Sequence, residues 1–137
     1  MHVLTQIGLV AFGSALGGLA RWGVTVGISQ LLGTRFPYAT LLINVSGSLF
    51  LGWFLAVIEH EVVEGISWLR AFDLKLMIAV GFTGAYTTFS TFELETYSLF
   101  RNSHSLLATL YIGLSLFVGL LAVHLGVLLA KWQFGTP

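Results

Sequence analysis

The sequence has no cysteine, two prolines and only 9% charged residues. Without cysteine there is no disulfide framework, no thiol nucleophile and no thiolate metal site. Soluble domains carry about 25% charged residues, so this chain has too few to dress a water-facing surface. Six basic and six acidic residues balance to a net charge of zero, and no basic patch points to nucleic acid. No phosphate-binding glycine loop is present. The four histidines (His2, His60, His104, His124) are scattered without metal-ligand spacing and read as interfacial or packed residues. With no nucleophile–base pair and no metal cluster in the pattern, an enzyme is not expected.

What the chain does have is apolar surface. Hydrophobic residues make up 56% of it, and the mean hydropathy is +0.90. A soluble fold of 137 residues buries too small a fraction of its surface to hide this much, so lipid has to cover the remainder. A transmembrane helix needs about 20 predominantly apolar residues. Four stretches qualify: residues 4–32, interrupted only by Arg21; 36–58, without charge; 74–100, with Glu93 and Glu95 late in it; and 105–130, which contains His124. The expected architecture is an all-α integral membrane protein of four transmembrane helices, one domain over residues 1–137. The N-terminal run lacks a basic flank and exceeds signal-peptide length, so it is expected to be a retained helix.

The connections are short and polar, except for an acidic middle one from His60 to Asp73. Trp22, Trp53, Trp68 and Trp132 are candidates for headgroup depth. Sixteen glycines include the pairs Gly13/Gly17 and Gly23/Gly27, each spaced by four, and Ser48/Gly52 and Ser115/Gly119 repeat that spacing. Small residues at this interval let helix backbones approach closely in lipid, either within the bundle or along a dimer seam. Arg70, Lys75 and Lys131 fall on one side of the expected membrane, and Arg35 and Arg101 on the other, joined by Arg21 if it reaches that interface. So small a bias fits insertion in both orientations, or a single topology fixed by one marginal charge or a partner. An antiparallel pair of such chains would build from two polypeptides the inverted repeat that many transporters carry within one.

The third stretch carries the chemistry. It reads Gly81-Phe82-Thr83-Gly84-Ala85-Tyr86-Thr87-Thr88-Phe89-Ser90-Thr91-Phe92-Glu93-Leu94-Glu95-Thr96. Glycines and β-branched threonines make a poor helix, and a break at membrane depth must face protein or a cavity. Composition alone nevertheless favours an unbroken helix whose hydroxyls bond back to the preceding turn. If helix resumes after Thr88, Phe89 and Phe92 share a face continued by Glu95 and Thr96. Such a pair is ordinarily core or lipid-facing, but the positive ring edge can also contact an anion. On the second stretch Asn44 is the one carboxamide, followed by Ser46 and Ser48; it is either interhelical glue or pore lining. The same alternatives hold for Tyr111 and Ser115, one turn apart on the fourth. Arg21 and Glu95 each require a partner, an aqueous vestibule or a route to the interface.

The run Gly84-Ala85-Tyr86-Thr87-Thr88-Phe89-Ser90-Thr91-Phe92 resembles the third-helix signature of the Fluc (CrcB-type) fluoride channels. Gly18-Leu19-Ala20-Arg21-Trp22, Thr40-Leu41-Leu42-Ile43-Asn44-Val45-Ser46-Gly47 and Tyr111-Ile112-Gly113-Leu114-Ser115 resemble the family's other helix motifs, in order along the chain. The resemblance implies a broken third helix and a dual-topology antiparallel homodimer with two pores, in a bacterial inner membrane, exporting fluoride passively. It implies a pore at Phe89 and Phe92 with Asn44, a polar track of Ser90, Thr91 and Ser115 with Tyr111 beside it, and Arg21 and Glu95 at the vestibule and pore end. It also implies a structural sodium ion on the main-chain carbonyls of Gly84 and Thr87 from each subunit. Ala85 departs from a second glycine common in the family, Tyr86 is bulkier than its usual counterpart, and Gly119 stands where some members carry serine.

Two other classes compete on the residues alone. A proton-coupled small multidrug transporter is also short, four-helical and often antiparallel, but it wants an acidic residue deep in the first helix, and residues 1–20 contain none. A membrane scaffold explains the glycines but not Asn44, Phe89 and Phe92 together.

Overall fold

The computed structural model describes residues 2–135. In chain order the helices are α1 (His2–Leu32), α2 (Tyr38–Val63), α3 (Trp68–Leu74), a π-helical run (Lys75–Thr83), α4 (Gly84–Tyr86), α5 (Phe89–Arg101) and α6 (Ser105–Phe134), with no strand among the described residues. Among the described residues three helices are long and apolar enough to cross a membrane: α1 from Val3, α2 and α6.

The fourth expected span, 74–100, is not one helix. Helical backbone runs from Trp68 through the π-helical turns to Tyr86, stops, and resumes at Phe89. Between the two parts Thr87 (ψ 162°) and Thr88 (φ −153°, ψ 119°) are extended. The unbroken helix favoured by composition is therefore overturned, and the break implied by the family resemblance is present. The reason is local: the Thr88 hydroxyl accepts the Thr91 N–H at 3.3 Å and so starts a new helix as its N-cap. The wide turns before the break leave their own mark, since Thr83 Oγ1 donates to the Ile78 carbonyl five residues back.

Other ends shift for equally local reasons. Pro37 precedes α2 and delays its start to Tyr38. Ser67 caps the Arg70 N–H and starts the third segment at Trp68 rather than 74. The helices α2 and α6 also run on past the expected 58 and 130, to Val63 and Phe134.

Small residues set the packing. A Cβ at Gly13 or Gly17 would strike the backbone of Met77 or Phe82, and one at Gly52 or Gly126 would strike Val123 or the Leu49–Trp53 turn. Thus α1 rides against the π-helical run and α2 against α6, backbone to backbone. The pair Gly13/Gly17 serves contact within the chain, whereas Gly23, Gly27 and Gly119 face open space. Two apolar clusters close the bundle. Phe54, Ile58 and Ala71 lie near the α2–α3 turn; Leu99, Ala108 and Tyr111 lie near the α5–α6 turn. Only 11% of the apolar window of α1, and of α6, is buried. Faces this apolar and this bare require lipid or protein around them.

Candidate functional site

The break is held from α2. Asn44 Nδ2 donates to the Thr88 carbonyl at 3.0 Å, and Asn44 Oδ1 accepts the Thr88 N–H at 2.9 Å. An extended residue has lost both helical partners, and one carboxamide restores them. Three residues on, Gly47 is buried, and the space where its Cβ would lie holds the Thr87 methyl and the Tyr86 ring. Thr40, Asn44 and Gly47 therefore form one stripe of α2, spaced i, i+4, i+7.

The carbonyl at Thr87 is reached from the other side. Arg21 Nη1 donates to it at 3.4 Å, beyond the usual length of a firm hydrogen bond. In a continuous helix the Thr88 N–H would reach the Gly84 carbonyl; with that N–H on Asn44, the Gly84 carbonyl is released. Main-chain oxygens at an unwound segment suit a sodium ion. Gly84 and Thr87 fit that donor set, with Arg21 competing for Thr87.

Phe89 and Phe92 follow at once. Their ring centroids are 5.9 Å apart. Phe89 is 70% exposed, and Phe92 leans on the Tyr111 ring at 5.1 Å. Ser90 and Thr91 are exposed and line an open cleft of about 920 Å³ between α1, the α1–α2 turn and α5. Arg21, Arg35, Glu95 and His104 also border it. A smaller hollow of about 220 Å³ lies at the break against Asn44, Ser48, Thr87 and Phe89.

Deeper along α5, Glu95 is held by two hydroxyls. Thr40 Oγ1 donates to Oε1 at 2.9 Å and the Tyr111 hydroxyl to Oε2 at 2.8 Å. Tyr111 is wholly buried, with the Phe36 ring edge-on at 5.5 Å. The structure thus gives Tyr111 a bonded, interior place. Ser115, one turn on, has a buried Oγ with no partner among the described residues.

All the expected site residues except Ser115 gather around the break and α5. Thr40, Ser46 and Gly47 were missed as partners of this region. Thr40 and Gly47 were findable, because they share the helical face of Asn44.

Long apolar helices, a broken helix whose backbone is held by a neighbour, and polar side chains converging on that break define a multi-pass membrane protein built around an intramembrane site. A family model described as CrcB-like protein, Camphor Resistance (CrcB), matches residues 8–127. The "Fluoride-specific ion channel FluC" of Acidobacterium capsulatum is 47% identical over 122 residues, covering 89% of this chain and 93% of that protein. Proteins of the same name from Synechococcus sp. and Hydrogenovibrio crunogenus are 40% and 38% identical, over 90% and 99% of this chain and 92% and 97% of their own lengths. The chain belongs to the CrcB-like family.

Proposed function

We propose that this protein is a fluoride-selective passive channel that exports cytoplasmic fluoride and so relieves its toxicity. The observation that carries this reading is the Phe89–Phe92 pair directly after a clamped break, in a chain whose relatives are named for fluoride conduction. Fluoride is small and strongly hydrated, so a pore must replace its water with donors and positive ring edges. Phe89 and Phe92 offer ring edges and Ser90 and Thr91 offer hydroxyls, with the Ser115 hydroxyl, unpartnered among the described residues and one turn beyond Tyr111, left to extend that track. Asn44 holds the backbone beside them. Arg21 draws anions into the cleft, and Glu95, tied to Thr40 and Tyr111, fixes its far wall. Chloride is rejected by narrowness and by polar groups it leaves unmatched. Fluoride that enters acid surroundings as neutral HF dissociates inside and leaves down its gradient, aided by the negative-inside potential.

In this reading the working unit is a dual-topology antiparallel homodimer with two pores, in the inner membrane of a bacterium. The bare faces of α1 and α6 and the even charge distribution support it. A sodium ion would be held by the Gly84 and Thr87 carbonyls of both copies, where its charge ties the two breaks together.

The test is efflux from liposomes holding the purified protein, read with fluoride and chloride electrodes in parallel. Rapid fluoride release with little chloride release is expected. Release of neither ion from a folded protein would sink the proposal.

A further inference from the structure

The clamp from Asn44 acts on the C-terminal side of the break. A second contact acts on its N-terminal side. The Tyr86 hydroxyl lies 2.9 Å from Ser46 Oγ. Ser46 Oγ donates to the Ile43 carbonyl at 3.2 Å, so the Tyr86 hydroxyl is the donor to Ser46. The Tyr86 ring lies against Gly47, close beside the space a Cβ would need, and stacks on Phe82 one turn back at 5.9 Å and 9°. Phe82 in turn meets Phe50 of α2 edge-on at 6.0 Å. The ring is thus held by Phe82 of its own segment and by Gly47 and Ser46 of α2.

We infer that the Tyr86–Ser46 contact is a latch that positions the break: Tyr86 fixes the end of α4 on α2 as Asn44 fixes the start of α5. The two anchors lie on residues 44 and 46 of one helix and grip residues 86 and 88 of the other, with Thr87 between them. Neither end of the break can shift along α2 without losing a bond. Together they set how far apart the Gly84 and Thr87 carbonyls stand and where Phe89 begins. The bulk of Tyr86 is accommodated by two small neighbours, Gly47 for the ring and Ser46 for the hydroxyl. Tyr86 and Ser46 are positioning residues, and neither needs to touch an ion. This rests on the channel reading only for its flux consequence.

The test is a cycle of Tyr86→Phe, Ser46→Ala and the double variant, with Ser46→Thr as the variant that keeps a hydroxyl. Each single variant is expected to slow fluoride efflux about fivefold, the factor a lost hydrogen bond carries. The double variant is expected to lose no more than either single one, and Ser46→Thr to retain the parent rate. Amide exchange of residues 84–91 should quicken in Tyr86→Phe while exchange in α6 stays unchanged. Parent-like exchange in Tyr86→Phe, losses that multiply in the double variant, or a Ser46→Thr chain as slow as Ser46→Ala would overturn the latch. A parent protein that conducts no fluoride would overturn the channel reading instead, and exchange alone would then decide the latch.

Discussion

Asn44 holds Thr88 by both ends of its carboxamide, donating to the carbonyl at 3.0 Å and accepting from the N–H at 2.9 Å. This pairing lets a helix be interrupted inside a bundle without orphaning the N–H or the carbonyl of Thr88. Asn44→Leu removes both partners and leaves both Thr88 groups unpaired, at about 2 kcal/mol. The expected outcome is a lower unfolding temperature in detergent together with abolished fluoride efflux. Asn44→Asp keeps the acceptor and loses the donor, so its unfolding temperature should fall between the two.

The two phenylalanines should separate function from stability. Phe89 is 70% exposed, so Phe89→Ile is expected to leave unfolding within about 0.5 kcal/mol of the parent. Fluoride efflux should nevertheless fall at least tenfold in order of magnitude, for want of a ring edge. Phe92 packs on Tyr111, and Phe92→Ile is expected to lose both flux and stability. Paired efflux and thermal-unfolding measurements distinguish the two patterns.

Glu95 depends on two hydroxyls from two helices. Tyr111→Phe and Thr40→Val each remove one donor and should each destabilise by about 1 to 2 kcal/mol. The effects should be non-additive, because both act on one carboxyl group. A double-variant cycle read by unfolding in detergent checks this; strict additivity would show that Glu95 does not couple them.

The glycines fall into two groups. Gly52→Leu must push α2 off Val123 and is expected to prevent folding or to destabilise by more than about 3 kcal/mol. A Cβ at Gly119 meets nothing within the chain. If the proposed homodimer keeps Gly119 clear of its seam, Gly119→Leu runs with the parent on gel filtration; a shift to monomer would place the seam there.

Sodium should matter if the break carbonyls hold it. Replacing sodium with a large organic cation is expected to lower both fluoride efflux and the thermal stability of the assembly. Arg21→Gln removes the cation that competes for the Thr87 carbonyl and should lower the sodium concentration giving half-maximal stabilisation. An unchanged sodium response in that variant would show that Arg21 and sodium do not share Thr87.

Much of the fold was legible because a membrane filters sequence severely. Runs of apolar residues the length of a bilayer have few alternatives to helix, and α1, α2 and α6 lie where those runs predict. Phe89, Phe92 and Asn44, which the structure brings together at the break, could be singled out because polar or motif-bearing residues stand out in so apolar a chain. The break was not legible from composition. Threonines serve equally well bonded back to the preceding turn or capping a new one, and Thr88 does the second. Choosing between these needs to know that Asn44 stands opposite, 44 residues earlier in the chain.

The sequence by itself determined that this chain lives in a membrane, where its long helices run and which family it joins, because hydropathy and motif order are one-dimensional properties. Only the tertiary structure decided that Asn44 clamps Thr88, that Tyr111 and Thr40 share Glu95, and that Tyr86 reaches Ser46 across Gly47. Those choices depend on the register of one helix against another, and that register is set by backbone contact at small residues.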